Sequence, residues 1–204
     1  MAHSTTADGQ DQCVTPGTPR SGAIFEYDFG MADVGAEQDL QGGLSEQQKR
    51  DNVIRLPFGG DRDRYEEFCR VIADVVPPAT TVILRGSSVT GKRWKDQAPF
   101  DADGPGTSDL DVTFVGSGCL QYFHATGFFV PNVHSRPLSD EDPDIAPDLV
   151  PLRRQLMEMV KRPVNLQASR DIVLSVRGEL LDQPYLTLFV KPEGLSLSDP
   201  PLPA

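Results

Sequence analysis

LRGSSVTG at residues 84–91, followed by TSDLDVTFVG at residues 107–116, is the stretch that decides the fold of this chain. The apolar, β-branched run at residues 81–85 has the length of a strand and ends at Gly86, which predicts a strand followed by a glycine turn. Apolar and polar residues alternate over residues 109–115, a pattern typical of a strand with one buried face. The segment therefore predicts two strands connected through a glycine turn and a loop.

Helical and strand patterns on either side extend this pair to an α/β fold. Apolar residues recur at helical spacing over residues 61–76 and 149–160, which predicts one helix before and one after the two strands. VNLQAS at residues 164–169 and YLTLFV at residues 185–190 predict two further strands, whereas residues 170–182 fit either a strand or a helix. The expected fold is a small mixed sheet of four or five strands with helices packed on one side.

Composition divides the chain into three parts. Residues 1–60 are rich in Gly, Gln, Asp, Ser and Thr and predict a disordered N-terminal arm, while the Pro-rich residues 193–204 predict a disordered tail. The folded domain is expected at residues 61–192. Two apolar patches of the arm, AIFEYDF at residues 23–29 and VIRLPF at residues 53–58, either dock onto a folded surface or are incidental residues of a linker.

Cysteine content and hydropathy exclude several classes of protein. The three cysteines and three histidines are scattered, without the spacing of a disulfide framework or a zinc site. No run approaches the roughly 18 apolar residues of a membrane helix, and the N-terminus lacks the basic and apolar regions of a signal peptide. We therefore expect a soluble, cytoplasmic protein with no membrane partner.

Net charge limits the partners of the chain. A formal charge of −11 argues against long nucleic acid, because such affinity comes largely from Lys and Arg side chains that neutralise phosphates. Residues 61–192 hold 19 acidic and 15 basic side chains, so the expected domain is only weakly negative. A small anion bound together with magnesium, such as a nucleoside triphosphate, is compatible with this balance.

Asp109 and Asp111 are the first candidate functional residues. Residues two apart on a strand point to the same face, so the two carboxylates are expected to lie close together. Aspartate is depleted in strands, and like charges on one face repel. The pair predicts a site for a hard divalent cation, the alternative being two carboxylates that only face solvent.

The segment Gly86–Gly91 is the second candidate. It offers backbone N–H groups together with the hydroxyls of Ser87, Ser88 and Thr90. A turn of this kind directly after a strand can hold phosphates. The alternative is a tight connection that uses glycine only for its backbone angles.

Taken together, LRGSSVTG and TSDLDVTFVG resemble the signature of the DNA polymerase beta-like nucleotidyltransferase superfamily: a strand, Gly-Ser, a short helix, and then Asp-x-Asp on the next strand. The resemblance covers about 36 residues, Thr81–Gly116. Gly86 and Ser87 occupy the Gly-Ser positions, and Asp109 and Asp111 occupy the positions of two metal ligands.

The resemblance implies an enzyme that transfers a nucleoside monophosphate from a nucleoside triphosphate to an unknown acceptor hydroxyl. Mg²⁺ or Mn²⁺ is expected as the cofactor, held by Asp109 and Asp111, which are also two of the expected catalytic residues. The expected nucleotide-binding residues lie in and just after the glycine turn: Gly86, Ser87, Ser88 and Lys92.

The third acidic position of the family lies on a later strand. Asp171 is the expected third catalytic residue if residues 170–176 form that strand. Asn165 takes the position if residues 164–169 form it instead, and an amide is a neutral and weaker metal ligand. The second outcome weakens the expectation of catalysis more than the expectation of nucleotide binding.

The connection between the glycine turn and the acids is longer than in compact members of the family. Twenty-one residues separate Ser87 from Asp109, so residues 92–106 look like an insertion. Basic residues of this loop could neutralise phosphates, and Trp94 could stack on a base. A solvated loop with one packed Trp is the simpler interpretation.

Two other functional classes stay open. A catalytically inactive module of the same fold would bind a nucleotide or a protein partner, and a partner subunit would supply the helical region that many family members carry after the sheet. A P-loop NTPase is suggested by GSSVTGKR at Gly86–Arg93, which nearly matches G-x-x-x-x-G-K-[ST]. Arg93 stands where Ser or Thr must bind magnesium, and this disfavours the P-loop.

Overall fold

A computed structural model of the chain describes residues 43–172 and 183–193. The α-helices whose bounds lie in these residues are α1 Glu46–Arg55, α2 Arg62–Val75, α3 Ser87–Thr90 and α4 Val150–Val160, and three short 3-10 helices lie at Ser117–Tyr122, Ala125–Gly127 and Pro147–Leu149. The same ranges contain six strands: β1 Thr80–Arg85, β2 Leu110–Val115, β3 Phe128–Val130, β4 His134–Ser135, β5 Val164–Ser169 and β6 Tyr185–Lys191. None of the described helices has the length and apolar character needed to cross a membrane.

The described strands form one mixed sheet in the order β3-β4-β5-β2-β1-β6. β2 and β5 run parallel, and each of the other neighbouring pairs runs antiparallel. A parallel pair needs a crossover connection, and α4 lies in the connection between β2 and β5. The predicted fold class, an α/β protein with a small mixed sheet, is confirmed.

The number of strands in the described residues is six, which is more than the four or five expected. The additional strands are β3 and β4, which are three and two residues long. Strands this short show no alternation of apolar and polar residues in the sequence. They join the sheet through the pairing of His134 on β4 with Ser169 on β5.

Helices cover one face of the sheet, as predicted. Alternate residues of β2 are fully buried in the core that also contains residues of α1, α2 and α4: Leu110, Val112 and Phe114. Asp111 points to the opposite face, because successive side chains of a strand alternate. A smaller apolar cluster lies apart from the helix-covered core: Ile83, Val115, Ile172 and Tyr185.

The helix α1 corrects the predicted boundary at residue 61. Ser45 and Gln48 form a capping box at the start of α1, and Val53 is fully buried in the core. Phe58 packs edge to face against Tyr65 and Phe68 of α2, with ring centroids 5.5 and 5.3 Å apart. The VIRLPF patch is therefore part of the domain. The sequence concealed this because α1 buries only two of its ten residues and resembles a polar linker in composition.

Other expectations concern residues outside the described ranges. The predicted disordered arm up to residue 42, including the patch at residues 23–29, lies there, as does the tail from residue 194. Residues 173–182 of the segment that fitted either a strand or a helix also lie outside the described ranges.

Candidate functional site

Two aspartates stand at the start of β2, next to the point where β1 ends. Asp109 immediately precedes β2, and Asp111 is the second residue of the strand. The strand register pairs Asp111 with Arg85 on β1 and with Asn165 on β5. Paired residues carry their side chains on the same face, so the three form one row on the face opposite the helices.

Asn165 links the two aspartates. Its Nδ2 donates a hydrogen bond of 2.8 Å to Oδ2 of Asp109 and one of 3.0 Å to Oδ1 of Asp111. Both hydrogens of a single amide group therefore lie between two carboxylates. Asn165 is therefore the residue of β5 that lies beside the two acids.

Asp171, the expected third acid, lies at the other end of the sheet from Asp109 and Asp111. β5 ends at Ser169, which pairs with Val115, the last residue of β2. A strand rises about 3.3 Å per residue, so Asn165 and Ser169 are about 13 Å apart along β5. Asp171 follows Ser169 and is not brought to Asp109 and Asp111. The sequence did contain a signal for this outcome. The strand pattern of VNLQAS predicts that residues 164–169 form the strand after α4, and this strand contains Asn165.

The two carboxylates repel each other. Loss of solvent, and then the charge of Asp111, raise the pKa of the Asp109 carboxyl, while the hydrogen bond from Asn165 and the charge of Arg85 act in the opposite direction. Burial and the neighbouring carboxylate thus both disfavour the charged form of Asp109. A bound cation would relieve this repulsion.

The glycine turn lies directly against the acids. Gly86 has a φ of 85° and a ψ of −159°, a conformation that is strained for residues with a side chain. A Cβ atom at this position would lie 3.6 Å from Oδ2 of Asp111. The short helix α3 begins at the next residue, Ser87. The turn and the two acids thus form one continuous surface.

The two serines of the turn have different surroundings. Ser88 is fully buried, and its hydroxyl donates a hydrogen bond of 3.4 Å to the carbonyl of Arg85, so it serves the turn itself. The hydroxyl of Ser87 makes no hydrogen bond within the described residues. Ser87 is also mostly buried, at 9% exposed, but of the two hydroxyls it is the one that has no partner within the described residues and could bind a ligand.

Lys92 does not occupy the position that a P-loop lysine would take. In a P-loop the Gly-Lys dipeptide leads into a helix. Here α3 ends at Thr90, and Lys92 instead forms a β-bridge with Pro99. Lys92 is exposed on the loop, so the structure gives it a position beside the turn rather than within it.

The long loop before β2 is anchored by an arginine that the sequence did not single out. Both terminal nitrogens of Arg162 donate to the carboxylate of Asp101, at 2.9 and 3.2 Å, and Nη1 also donates to the carbonyl of Ser108 at 3.0 Å. The guanidinium carbon lies 4.5 Å from the ring centre of Phe100. Arg162 therefore holds the end of the loop, which leads directly into Asp109. No local pattern relates two residues so distant in the sequence.

This anchor predicts a dependence of stability on acidic pH. Burial raises the pKa of Asp101, but hydrogen bonds from Arg162 and from the backbone N–H groups of Ser108 and Gly106 lower it overall to about 2. A carboxyl with a lowered pKa stabilises the fold above its unfolded pKa of about 4, and this contribution disappears as the pH falls towards 2. Between about pH 5 and pH 2, wild type should lose roughly 1–2 kcal/mol of unfolding free energy that Asp101→Asn does not lose.

Urea denaturation at a series of pH values measures this difference. Asp103→Asn is the matched control, because Asp103 lies in the same loop but forms an exposed pair with Arg93. It should follow the wild-type pH curve. Parallel pH curves for wild type and Asp101→Asn would contradict the assignment.

The donor atoms at the site suit a hard divalent cation. Within the described ranges, there is no group of three or more His, Cys, Asp or Glu side chains that could hold a metal ion. Asp109 and Asp111 nevertheless offer carboxylate oxygens side by side, and Asn165 offers an amide oxygen if its side chain turns. Oxygen ligands are the type that Mg²⁺ and Mn²⁺ prefer. Asp109, Asp111 and Asn165 together fit such an ion. They bring two negative charges to it, one fewer than the three acids that the family resemblance leads us to expect.

Comparison of the chain with models of protein families, with curated proteins and with solved structures finds no match. What points to a chemistry is the site itself. A glycine turn with an available serine hydroxyl lies against two aspartates, and an asparagine links these aspartates.

Proposed function

We propose that the chain is a metal-dependent nucleotidyltransferase of the DNA polymerase beta-like superfamily, acting in the cytoplasm. It would transfer a nucleoside monophosphate from a nucleoside triphosphate to an acceptor hydroxyl. One observation carries the proposal: the turn at Gly86 lies within contact distance of Asp111, so a phosphate chain on the turn would lie beside the paired acids. The order of strand, Gly-Ser, short helix and Asp-x-Asp along the chain supports it.

Each residue of the site has a role in this proposal. Asp109 and Asp111 would hold Mg²⁺ or Mn²⁺, which when bound supplies positive charge next to the phosphates and the attacking hydroxyl. Ser87 binds a phosphate oxygen through its hydroxyl and its backbone N–H, and Gly86 leaves room for the close approach. The acceptor hydroxyl loses its proton to water, its oxygen attacks the α-phosphorus, and the bond from that phosphorus to the bridging oxygen breaks, which releases pyrophosphate.

The second candidate function is an inactive module that binds a nucleotide or a protein partner. The observation that favours it is the amide of Asn165 at the third position, since a neutral ligand holds a divalent cation less strongly than a carboxylate does. In this alternative, Ser87 and the two aspartates still bind a metal-nucleotide complex, but no transfer follows. A partner subunit would then respond to the bound nucleotide.

The products of turnover separate the proposed transferase from a P-loop NTPase. With α-labelled nucleoside triphosphate and magnesium, we expect label in an acceptor and release of pyrophosphate. Ser87→Ala should lower binding or turnover about tenfold, since it removes a hydrogen bond to a charged phosphate. Lys92→Ala should lower it less, because Lys92 lies on the exposed loop.

The test has three measurements. Fractions of a cell extract serve as the source of acceptor for transfer of the radiolabel, a pyrophosphate assay identifies the product, and calorimetry measures binding. The proposal would be refuted if the protein released orthophosphate, if Lys92→Ala abolished this release, and if Ser87→Ala left it intact. Magnesium-dependent binding without label transfer would favour the inactive module instead.

A further inference from the structure

A cationic side chain lies on the same face as the paired acids. Arg85, the last residue of β1, faces Asp111 of β2 in register. Its Nη2 donates a hydrogen bond of 3.4 Å to Oε1 of Gln167 on β5. Because β2 lies between β1 and β5 in the sheet, the guanidinium extends across β2 on the face opposite the helices. It therefore reaches the surface where Asp109, Asp111 and Asn165 meet.

Gln167 is held in one orientation by β4. It is 3% exposed, and its Nε2 donates 2.8 Å to the carbonyl of Ser135 and contacts Nε2 of His134 at 2.9 Å. An amide nitrogen can only donate, so the imidazole nitrogen of His134 accepts. The amide nitrogen of Gln167 is directed towards β4 by these two contacts, and the amide oxygen is on the side of Arg85. A buried polar relay from β4 through β5 thus sets the position of the guanidinium.

The ligand that fits this arrangement is a phosphate chain. A guanidinium presents a planar fork of N–H donors that matches the oxygens of a phosphate. We propose that Arg85, oriented by Gln167, is the phosphate-binding cation of this site and contacts the triphosphate chain of a nucleotide held beside Asp109 and Asp111. The choice of a nucleotide rests on the proposed function, whereas the phosphate chemistry rests on Arg85 itself. Arg85 is a binding residue and Gln167 a positioning residue.

Calorimetry with two probes tests this inference: magnesium tripolyphosphate, and the magnesium complexes of the four ribonucleoside triphosphates. Arg85→Gln should weaken binding of both kinds of probe about tenfold, the value of a charge-assisted hydrogen bond. Arg85→Lys, which keeps the charge but loses the fork, should show a smaller loss. Gln167→Met should weaken binding about threefold in wild type and not at all in the Arg85→Gln background.

Arg64→Gln is the matched control, because Arg64 lies on α2 and carries the same charge on the helix side. Thermal melting reports whether each variant folds, and Arg85→Lys and Gln167→Met carry the test if Arg85→Gln does not fold. An Arg85 that only compensates the acids would leave tripolyphosphate binding unchanged in Arg85→Gln, and this result would overturn the inference. Failure of wild type to bind either probe would overturn it as well.

A transfer assay on the same proteins distinguishes this inference from the proposed function. Transfer by wild type with unchanged phosphate binding in Arg85→Gln would leave the nucleotidyltransferase standing and remove the role of Arg85. Weakened phosphate binding in Arg85→Gln, with no transfer by wild type under any condition, would support Arg85 and refute the transferase.

Discussion

Asp111→Asn is expected to abolish magnesium-dependent binding of nucleoside triphosphates, with a loss of at least about 100-fold in affinity, because it removes one of two carboxylates that would share the ion. The fold should survive. Burial is the largest cause of the raised pKa of the Asp109 carboxyl, and repulsion by Asp111 is the second. The substitution removes this repulsion in the metal-free protein. Calorimetry with and without a chelator measures the first effect, and thermal melting the second.

Asp171→Asn is the matched control for this prediction. It makes the same chemical change in a carboxylate that lies beyond the far end of β5, and magnesium-dependent binding should stay at the wild-type level. Wild-type affinity that a chelator does not change would contradict the metal site. Loss of binding in Asp171→Asn with normal binding in Asp111→Asn would show that the ion is held by Asp171 and not by Asp111.

Asn165→Asp is expected to have two opposite effects. In the metal-free protein it replaces two hydrogen-bond donors by a third negative charge, and we expect a loss of about 1–3 kcal/mol in unfolding free energy. With magnesium present, the additional carboxylate should strengthen binding of the ion about 30-fold, equivalent to about 2 kcal/mol. The increase in melting temperature on adding magnesium should therefore be larger in Asn165→Asp than in wild type.

Asn132→Asp controls for the added charge itself. Asn132 is exposed in the connection between β3 and β4, away from the start of β2, so this variant should respond to magnesium as wild type does. Equal magnesium responses in Asn165→Asp and Asn132→Asp would refute the placement of Asn165 at a cation site. A gain of label transfer in Asn165→Asp over wild type would further support the inactive-module alternative for the natural chain.

The candidate site was predictable from sequence only where its residues are close together in the chain. Asp109 and Asp111 share a face because of the two-residue period of a strand, and the turn at Gly86 follows an apolar run that ends in glycine. Both features depend on local backbone geometry, which is determined by residues that are consecutive in the chain. The structure places the turn against Asp111, a contact that the motif resemblance led us to expect but that no local pattern could measure.

The members of the site that come from distant strands were not predictable in this way. Whether Asn165 or Asp171 lies beside the acids depends on the register between β2 and β5, and Arg85 reaches Gln167 only because β2 lies between their strands. Register is set by the burial of a whole strand face and not by any one residue.

By itself, the sequence determined the α/β class, the strand that follows Asp109 and carries Asp111, and the glycine turn at Gly86. These follow from side-chain period and from backbone angles, which act over a few residues. Tertiary structure alone decided that α1 belongs to the core and that Arg162 anchors the loop before the acids. A helix with two buried residues becomes stable only when its neighbours cover them, and an ion pair that joins residues 61 positions apart exists only after the chain has folded.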